Sequence, residues 1–332
     1  MDRPGPALPV SILLPTRNSA RHLSSHIKSL RELLPLAREV VVVDSESTDG
    51  TTRIIERERV HPSLRILSHP PGLYESWNHG VNACRQKYVY LSTVGDSMSR
   101  RGLEKLVGAA ESFACDLVVS PPELVDEKGR SVVKRWPVYD FVERLELSRP
   151  VVLNETLTLL LALVYMRKAI LGSSASNLYR TETLRRFPFP TDFGHAGDVG
   201  WGLRHAGKVR FGILPEVHST FLFHQRSAPK KRVADISRKR IETARSSVAN
   251  AGVVAPEARA LMERLCDAWE ELFETTERVE MRRRNPLRIV TPGAWKERSA
   301  RSRAGARLAE CQEEAFRWIR ESLALNAPDS TG

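Results

Sequence analysis

Glu39-Val40-Val41-Val42-Val43-Asp44 is the segment that most narrows what this chain can fold into. Four consecutive β-branched apolar residues offer no polar face, so a strand made of them must be buried on both sides. A parallel sheet covered by helices on both faces meets that condition; a sheet with one wet face does not. The neighbouring pattern agrees. Val10–Leu14, Leu64–Leu67, Tyr88–Leu91 and Leu117–Ser120 are short apolar runs. Between them Ser19–Leu34, a segment opened by Ser47-Thr48-Asp49-Gly50, Tyr74–Cys84 and Gly102–Phe113 carry apolar residues at helical spacing. Alternation of this kind predicts βαβ units and an α/β, Rossmann-like doubly wound sheet. Ligands of such sheets bind beyond the carboxyl ends of the strands. Pro15–Asn18, Asp44–Asp49 and Thr93–Asp96 all follow strands, so they are predicted to converge on one crevice.

Pro121–Val138 reads as loop with a turn at Asp126-Glu127-Lys128-Gly129, and 151–168 reads as a buried helix. Ser173–Tyr179, Val209–Ile213 and Thr220–His224 read as strands and Gly197–His205 as a short helix, which ends the α/β part near Ser227. Ala228–Ala249, Pro256–Arg284 and Ala294–Leu325 have helical periodicity with few strand signals. The expected organisation is an α/β domain over 1–227, a helical region over 228–325 and a disordered tail at 326–332.

The chain of 332 residues carries a net charge of +11, which favours anionic partners without choosing among them. The basic clusters Lys230-Lys231-Arg232, Arg282-Arg283-Arg284 and Lys296 to Arg307 have few aromatics among them, which disfavours nucleic acid and leaves a peripheral membrane contact open. The cysteines at 84, 115, 266 and 311 have no CxxC spacing and are expected to be reduced. Met1–Pro9 has no apolar core of a signal peptide, so a cytoplasmic location is expected. Thr156–Met166 is far short of the ~20 apolar residues that span a bilayer. GxGxxG, GxxxxGK[ST] and GxSxG are all absent, which argues against a dinucleotide dehydrogenase, a P-loop NTPase and an α/β-hydrolase.

Three aspartates, Asp44, Asp96 and Asp198, stand where chemistry would be done. Asp44 ends the valine strand, where a carboxylate can accept from a ribose or base N–H or merely cap a turn. Asp49 has the setting of a helix cap. Asp96, after Gly95, suits either a divalent cation on a diphosphate or an N-cap. Asp198, between Gly197 and the helix bearing Trp201 and Leu203, suits either a general base or a cap. His224 closes an apolar strand, as a core histidine or a further metal ligand.

These residues resemble inverting family 2 glycosyltransferases of the GT-A fold. Val10 to Asn18 is similar to that family's opening strand, and Glu39 to Thr51 to its second strand and loop. Gly72-Leu73-Tyr74-Glu75-Ser76-Trp77-Asn78-His79-Gly80 is similar to its third motif, G-[IL]-Y-D-A-x-N-x-G, and His224 with Ser227 to its H-x-x-S. The resemblance implies a nucleotide-sugar donor, most often a UDP-sugar, handled by residues 1–120, and a hydroxyl acceptor met by residues 121–227. It implies that Pro15, Thr16 and Asn18 line the nucleotide pocket, that Asp44 holds the base or ribose, and that Asn78 helps hold the nucleotide or sugar. Asp96, with His224, would hold Mg²⁺ or Mn²⁺ on the diphosphate, and Asp198 would be the catalytic base. The family's D-x-D is Val94-Gly95-Asp96 here, and its late acidic pair is Gly197-Asp198. Polysaccharide or glycoconjugate assembly, with an acceptor that can be lipid-linked, is the implied setting. A nucleotide-sugar-binding scaffold without turnover is the alternative. A nucleotidyltransferase would need a Gly-rich loop after the first strand, where Pro15-Thr16-Arg17-Asn18 has no glycine.

Overall fold

The computed structural model describes residues 7–132, 136–223, 233–283 and 292–325. The expectations placed on His224, Ser227, Lys230–Arg232, Arg284 and the 326–332 tail lie outside the described residues. In chain order the elements are β1 (Val10–Thr16), α1 (Ala20–Ser29), β2 (Glu39–Asp44), α2 (Thr51–Glu58), β3 (Leu64–Ser68), α3 (Leu73–Ala83), β4 (Tyr88–Leu91), β5 (Ser97–Met98) and α4 (Arg100–Ser112). There follow β6 (Leu117–Val119), β7 (Glu123–Val125), α5 (Pro137–Arg144), β8 (Val151–Leu153), α6 (Glu155–Val164), β9 (Asn177–Arg180), α7 (Thr181–Arg186) and α8 (Gly197–His205). The last are β10 (Phe211–Ile213), β11 (Ser219–Leu222), α9 (Val233–Ala249), α10 (Pro256–Arg283) and α11 (Pro292–Leu325).

The chain divides into two compact units. One holds Met1–Asn154, Ile170–Trp201 and Val209–Arg226; the other holds Glu155–Ala169, Gly202–Lys208 and Ser227–Gly332. The first is built on an eight-stranded sheet in the order β3-β2-β1-β4-β9-β6-β10-β8, with a three-stranded sheet β5-β11-β7. The sheet is mixed. β3, β2, β1 and β4 are parallel, β9 runs antiparallel between β4 and β6, and β8 is antiparallel to β10 at the edge.

β2 is buried along its whole length, as its valines require. A strand that is apolar on both faces has no face preference to set its register. Its polar ends do so instead. Glu39, only 4 % exposed, accepts from Ser11 Oγ at 2.6 Å and pairs with Arg65 at 2.7 Å. Burial alone would raise the Glu39 carboxyl, but the Ser11 hydroxyl, the Arg85 N–H and the Arg65 guanidinium outweigh it and hold it below the usual range. Thr16 of β1 then stands opposite Asp44 of β2.

Ile12, Leu14, Val40 and Val42 share a core with Leu23 and Ile27 of α1, Ile55 of α2 and Leu103 and Leu106 of α4. α3 packs on the opposite face. It lies so close that a Cβ at Gly80 would stand 2.4 Å from Leu13 Cδ1 and 2.9 Å from Val43 Cγ2. The glycine that ends the third motif is therefore a packing requirement.

The second unit is helical. The structure corrects the helix expected over 151–168: Val151–Leu153 is an edge strand, and the helix begins at Glu155. Its residues Leu157 to Val164 are all buried. A helix that is apolar all round must be covered all round, which is why α6 groups with the C-terminal helices. Trp269 donates its indole N–H to Leu163 O at 2.8 Å, and Gln312 donates to Val164 O at 2.8 Å. α10 and α11 are antiparallel, tied by the pairs Arg264–Glu314 and Arg307–Glu271. All four cysteines are buried and free. No helix among the described residues is long and apolar enough to cross a membrane.

Gly80→Ala forces α3 off the sheet. It is expected to cost about 1–3 kcal/mol, read as a lower urea midpoint at an unchanged slope.

Candidate functional site

The three segments expected to converge do so at the carboxyl ends of β1, β2 and β4. The loop after β1 is tied to the loop after β2. Asn18 N–H donates to Ser47 Oγ at 2.8 Å, Thr48 N–H to Asn18 Oδ1 at 2.9 Å, and Ser45 N–H to Thr16 O at 2.9 Å. Asn18 has φ +47°, a left-handed conformation that asparagine tolerates better than most residues. Asp49 is structural. It accepts from Thr51 N–H and Oγ1 at the start of α2 and from Ala20 N–H at the start of α1. The Thr51 hydroxyl, followed by these N–H groups, outweighs desolvation and holds its carboxyl below the usual range.

Pro15, the last but one residue of β1, is half-buried opposite Val43. Thr16 and Asp44 are each 5 % exposed. Asp44 Oδ2 accepts from Ser47 N–H at 2.9 Å. Asp44 Oδ1 and Thr16 Oγ1 are buried and have no hydrogen-bond partner. Buried polar atoms are nearly always paired, and leaving one unmade costs about 1–3 kcal/mol. Two such atoms stand on facing residues of adjacent strands, at the rim where a parallel sheet binds ligands.

Asp96 is 5 % exposed. It is not the cap of the following helix, because Ser99 Oγ fills that place by accepting from Gly102 N–H. Its Oδ2 accepts from the Thr93 hydroxyl and its Oδ1 from Leu222 N–H at 2.9 Å. The strand that precedes His224 in the sequence is thus joined to Asp96, although His224 itself is outside the described residues. Gly95 has φ +103°, and a Cβ there would stand 2.9 Å from Leu222 Cδ2, so this loop demands glycine twice over. No group of three metal-ligating side chains occurs among the described residues.

Asp198 is half-buried at the start of α8 and accepts from Val199 N–H at 2.8 Å. A Cβ at Gly197 would stand 2.4 Å from the Tyr74 ring. Tyr74 is the second residue of α3, and α3 begins beyond the carboxyl end of β3, so Asp198 belongs to the same rim of the sheet as Asp44. Burial, then the Asp198 charge, drives the Tyr74 phenol far above its usual range. Asn78, expected to help hold the nucleotide or sugar, pairs with the backbone of Phe189. Its Nδ2 donates to Phe189 O at 2.8 Å and its Oδ1 accepts from Phe189 N–H at 2.9 Å. Reasoning from sequence missed Tyr74, Thr93 and the buried His26. Tyr74 has a visible signal in the third motif and Thr93 in its place after a strand; His26 has none.

A mixed sheet with a rim of this construction defines a fold of the GT-A type, and comparison with known proteins agrees. Residues 11–171 match the model of Glycosyl transferase family 2, so the resemblance carried by the motifs stands. A region of 137 residues is 26 % identical to chondroitin synthase of Escherichia coli, covering 39 % of this chain and 20 % of that protein. The chain thus spans about a fifth of that relative's length. Among solved structures, S. aureus TarS 1–349 in complex with UDP is similar with a TM-score of 0.61 at 16 % identity, over 96 % of this chain and 92 % of that one. Its complex with UDP-GlcNAc gives 0.61 at 15 % identity, over 96 % and 93 %. At that identity the likeness is one of fold.

His26 sits behind the Asp96 loop. Its Nε2 is 3.0 Å from Ser92 Oγ, and its Nδ1 accepts from Gly95 N–H at 3.4 Å. Burial lowers its pKa to about 4, against a smaller upward pull from the Asp96 backbone. Burial, helped by Lys208 and Arg204, holds His205 at about 4 as well. Unfolded histidine titrates near 6.5, so between these values the unfolded chain binds the extra protons. Stability is therefore full above pH 6.5 and falls as pH drops toward 4. Urea midpoints measured from pH 7 to pH 5 are expected to decline, and His26→Gln is expected to flatten that decline without abolishing it.

Proposed function

We propose that this protein is a glycosyltransferase that moves a sugar from a UDP-sugar to an acceptor hydroxyl with inversion at the anomeric carbon. The observation that carries the reading is the pair of buried, unpartnered oxygens, Thr16 Oγ1 and Asp44 Oδ1, at the ends of β1 and β2. They suit a ligand that brings N–H or O–H groups to the rim, as a uracil and a ribose do. The family match over the first half of the chain supports a sugar transfer, and the UDP and UDP-GlcNAc complexes of TarS support a UDP-sugar donor. Asp44 would accept from the base or ribose, beside Thr16, with Pro15 and Asn18 shaping the pocket wall.

Asp96 offers one hard oxygen donor at the rim. That suits Mg²⁺ or Mn²⁺, which keep waters and take their other ligands from a substrate's phosphates. Asp96 would hold the ion, with His224 as a second ligand. When bound, such an ion offsets the charge that develops on the departing diphosphate. Asp198 would act as general base, taking the proton from the acceptor hydroxyl as that oxygen attacks the anomeric carbon. The new carbon–oxygen bond forms on the face opposite the bond to the diphosphate, so configuration inverts in one step. The acceptor would be met by residues that follow Asp96. Trp295, 72 % exposed on the first turn of α11 beside Lys296 and Arg298, favours peripheral contact with an anionic membrane and a lipid-linked acceptor.

Calorimetric titration with UDP, in Mn²⁺ and in chelator, tests this reading. Metal-dependent binding is expected in the wild type. Asp44→Ala is expected to weaken it about tenfold or more, the equivalent of one hydrogen bond to a charged group, and Asp96→Ala to remove the metal dependence. Asp198→Asn is expected to bind UDP as the wild type does and to lose turnover of UDP-sugars. No nucleotide binding in either condition would overturn the reading. Binding without turnover across donors and acceptors would favour a non-catalytic nucleotide-sugar-binding scaffold.

A further inference from the structure

We propose that Tyr74 is a positioning residue for Asp198: its hydroxyl, on the first turn of α3, holds the first turn of α8 and aims the Asp198 carboxylate. The inference rests on reading Asp198 as the base of the proposed transfer.

Four observations carry it. Beyond the effect of burial, Tyr74 lies close enough to Asp198 for the carboxylate's charge to drive its phenol upward, which sets the hydroxyl where it can donate to that carboxylate. Gly197 makes that approach possible, because a Cβ there would meet Tyr74 Cδ2 at 2.4 Å and Pro190 O at 2.7 Å. The Tyr74 ring is itself clamped. It stacks on Phe189 with centroids 5.5 Å apart at 23°, and Trp77 meets both rings edge-on at 5.3 Å. Finally, Asn78 fixes the Phe189 backbone through a donor and an acceptor together.

Tyr74, Trp77 and Asn78 are at i, i+3 and i+4 and so share one face of α3. That face holds the 189–198 segment at both ends, while Gly80 seats the same helix on the sheet. The third motif is therefore the mount of the base. A base must be ionised and directed before it can take a proton. A neutral phenol that donates to the carboxylate serves both needs, and burial keeps Tyr74 neutral. Among the described residues, Tyr74 of α3 and Tyr179 of β9 are titratable groups that feel the Asp198 charge.

The test is a carboxyl titration of the full chain by ¹³C NMR with labelled aspartate, Asp198 being assigned by its loss in Asp198→Asn. Removing a donor to the charged form raises a carboxyl's pKa. Tyr74→Phe keeps the stacked ring and is expected to move the Asp198 midpoint up by about one unit, with the other aspartates and UDP affinity unchanged. With UDP-GlcNAc as donor probe, UDP release is expected to fall about 10- to 100-fold, the equivalent of one hydrogen bond to a charged group. Its acid limb should move up with the carboxyl. The double variant Tyr74→Phe/Asp198→Asn is expected to be no slower than Asp198→Asn alone. An unmoved Asp198 titration in folded, UDP-binding Tyr74→Phe would overturn the proposal, as would a further loss in the double variant. Full UDP release by Asp198→Asn would instead overturn the base assignment itself, and with it the positioning role.

Discussion

The burial of Glu39 governs where the site can form. β2 is apolar on both faces, so side-chain alternation sets no register for it. The carboxylate at its start, held by Ser11, Arg65 and the Arg85 N–H, sets the register instead. A slip of one residue would pull that charge off its partners inside the sheet, which is among the costlier errors a core can make. With Glu39 held, Asp44 must emerge opposite Thr16 at the far end. The structural carboxylate and the proposed ligand-binding one are the two ends of a single strand.

α3 extends that constraint to the other half of the rim. Gly80 lets the helix sit on Leu13 and Val43, the same two strands whose ends carry Thr16 and Asp44. Tyr74 on its first turn and Asn78 in its middle hold the 189–198 segment. The proposed donor pocket and the proposed base are thus referred to one rigid frame. Preorganisation of this kind is what catalysis by positioning requires.

Much of this was readable from sequence, and for identifiable reasons. The β2 strand, the capping of α2 by Asp49, and the three long C-terminal helices depend on local pattern and on side chains close in the chain. The edge strand Val151–Leu153 was not readable. Three residues before an apolar helix have no period of their own, and only pairing with β10 makes them a strand. The reversed direction of β9 is likewise a matter of its neighbours. The expected role of Asn78 came from its place in a motif, and the motif is silent about Phe189, 111 residues away.

The sequence by itself determined that this chain builds a helix-covered sheet with acidic residues at strand ends, because hydrophobic periodicity and strand-terminal position are local properties. It also carried the motifs by which residues 11–171 match a known family. Tertiary structure alone decided which oxygens remain without partners, which glycines are steric necessities, and that Tyr74 packs against Gly197 beside Asp198. Those outcomes depend on distances between residues far apart in the chain. Such distances exist only once the sheet and its helices have packed.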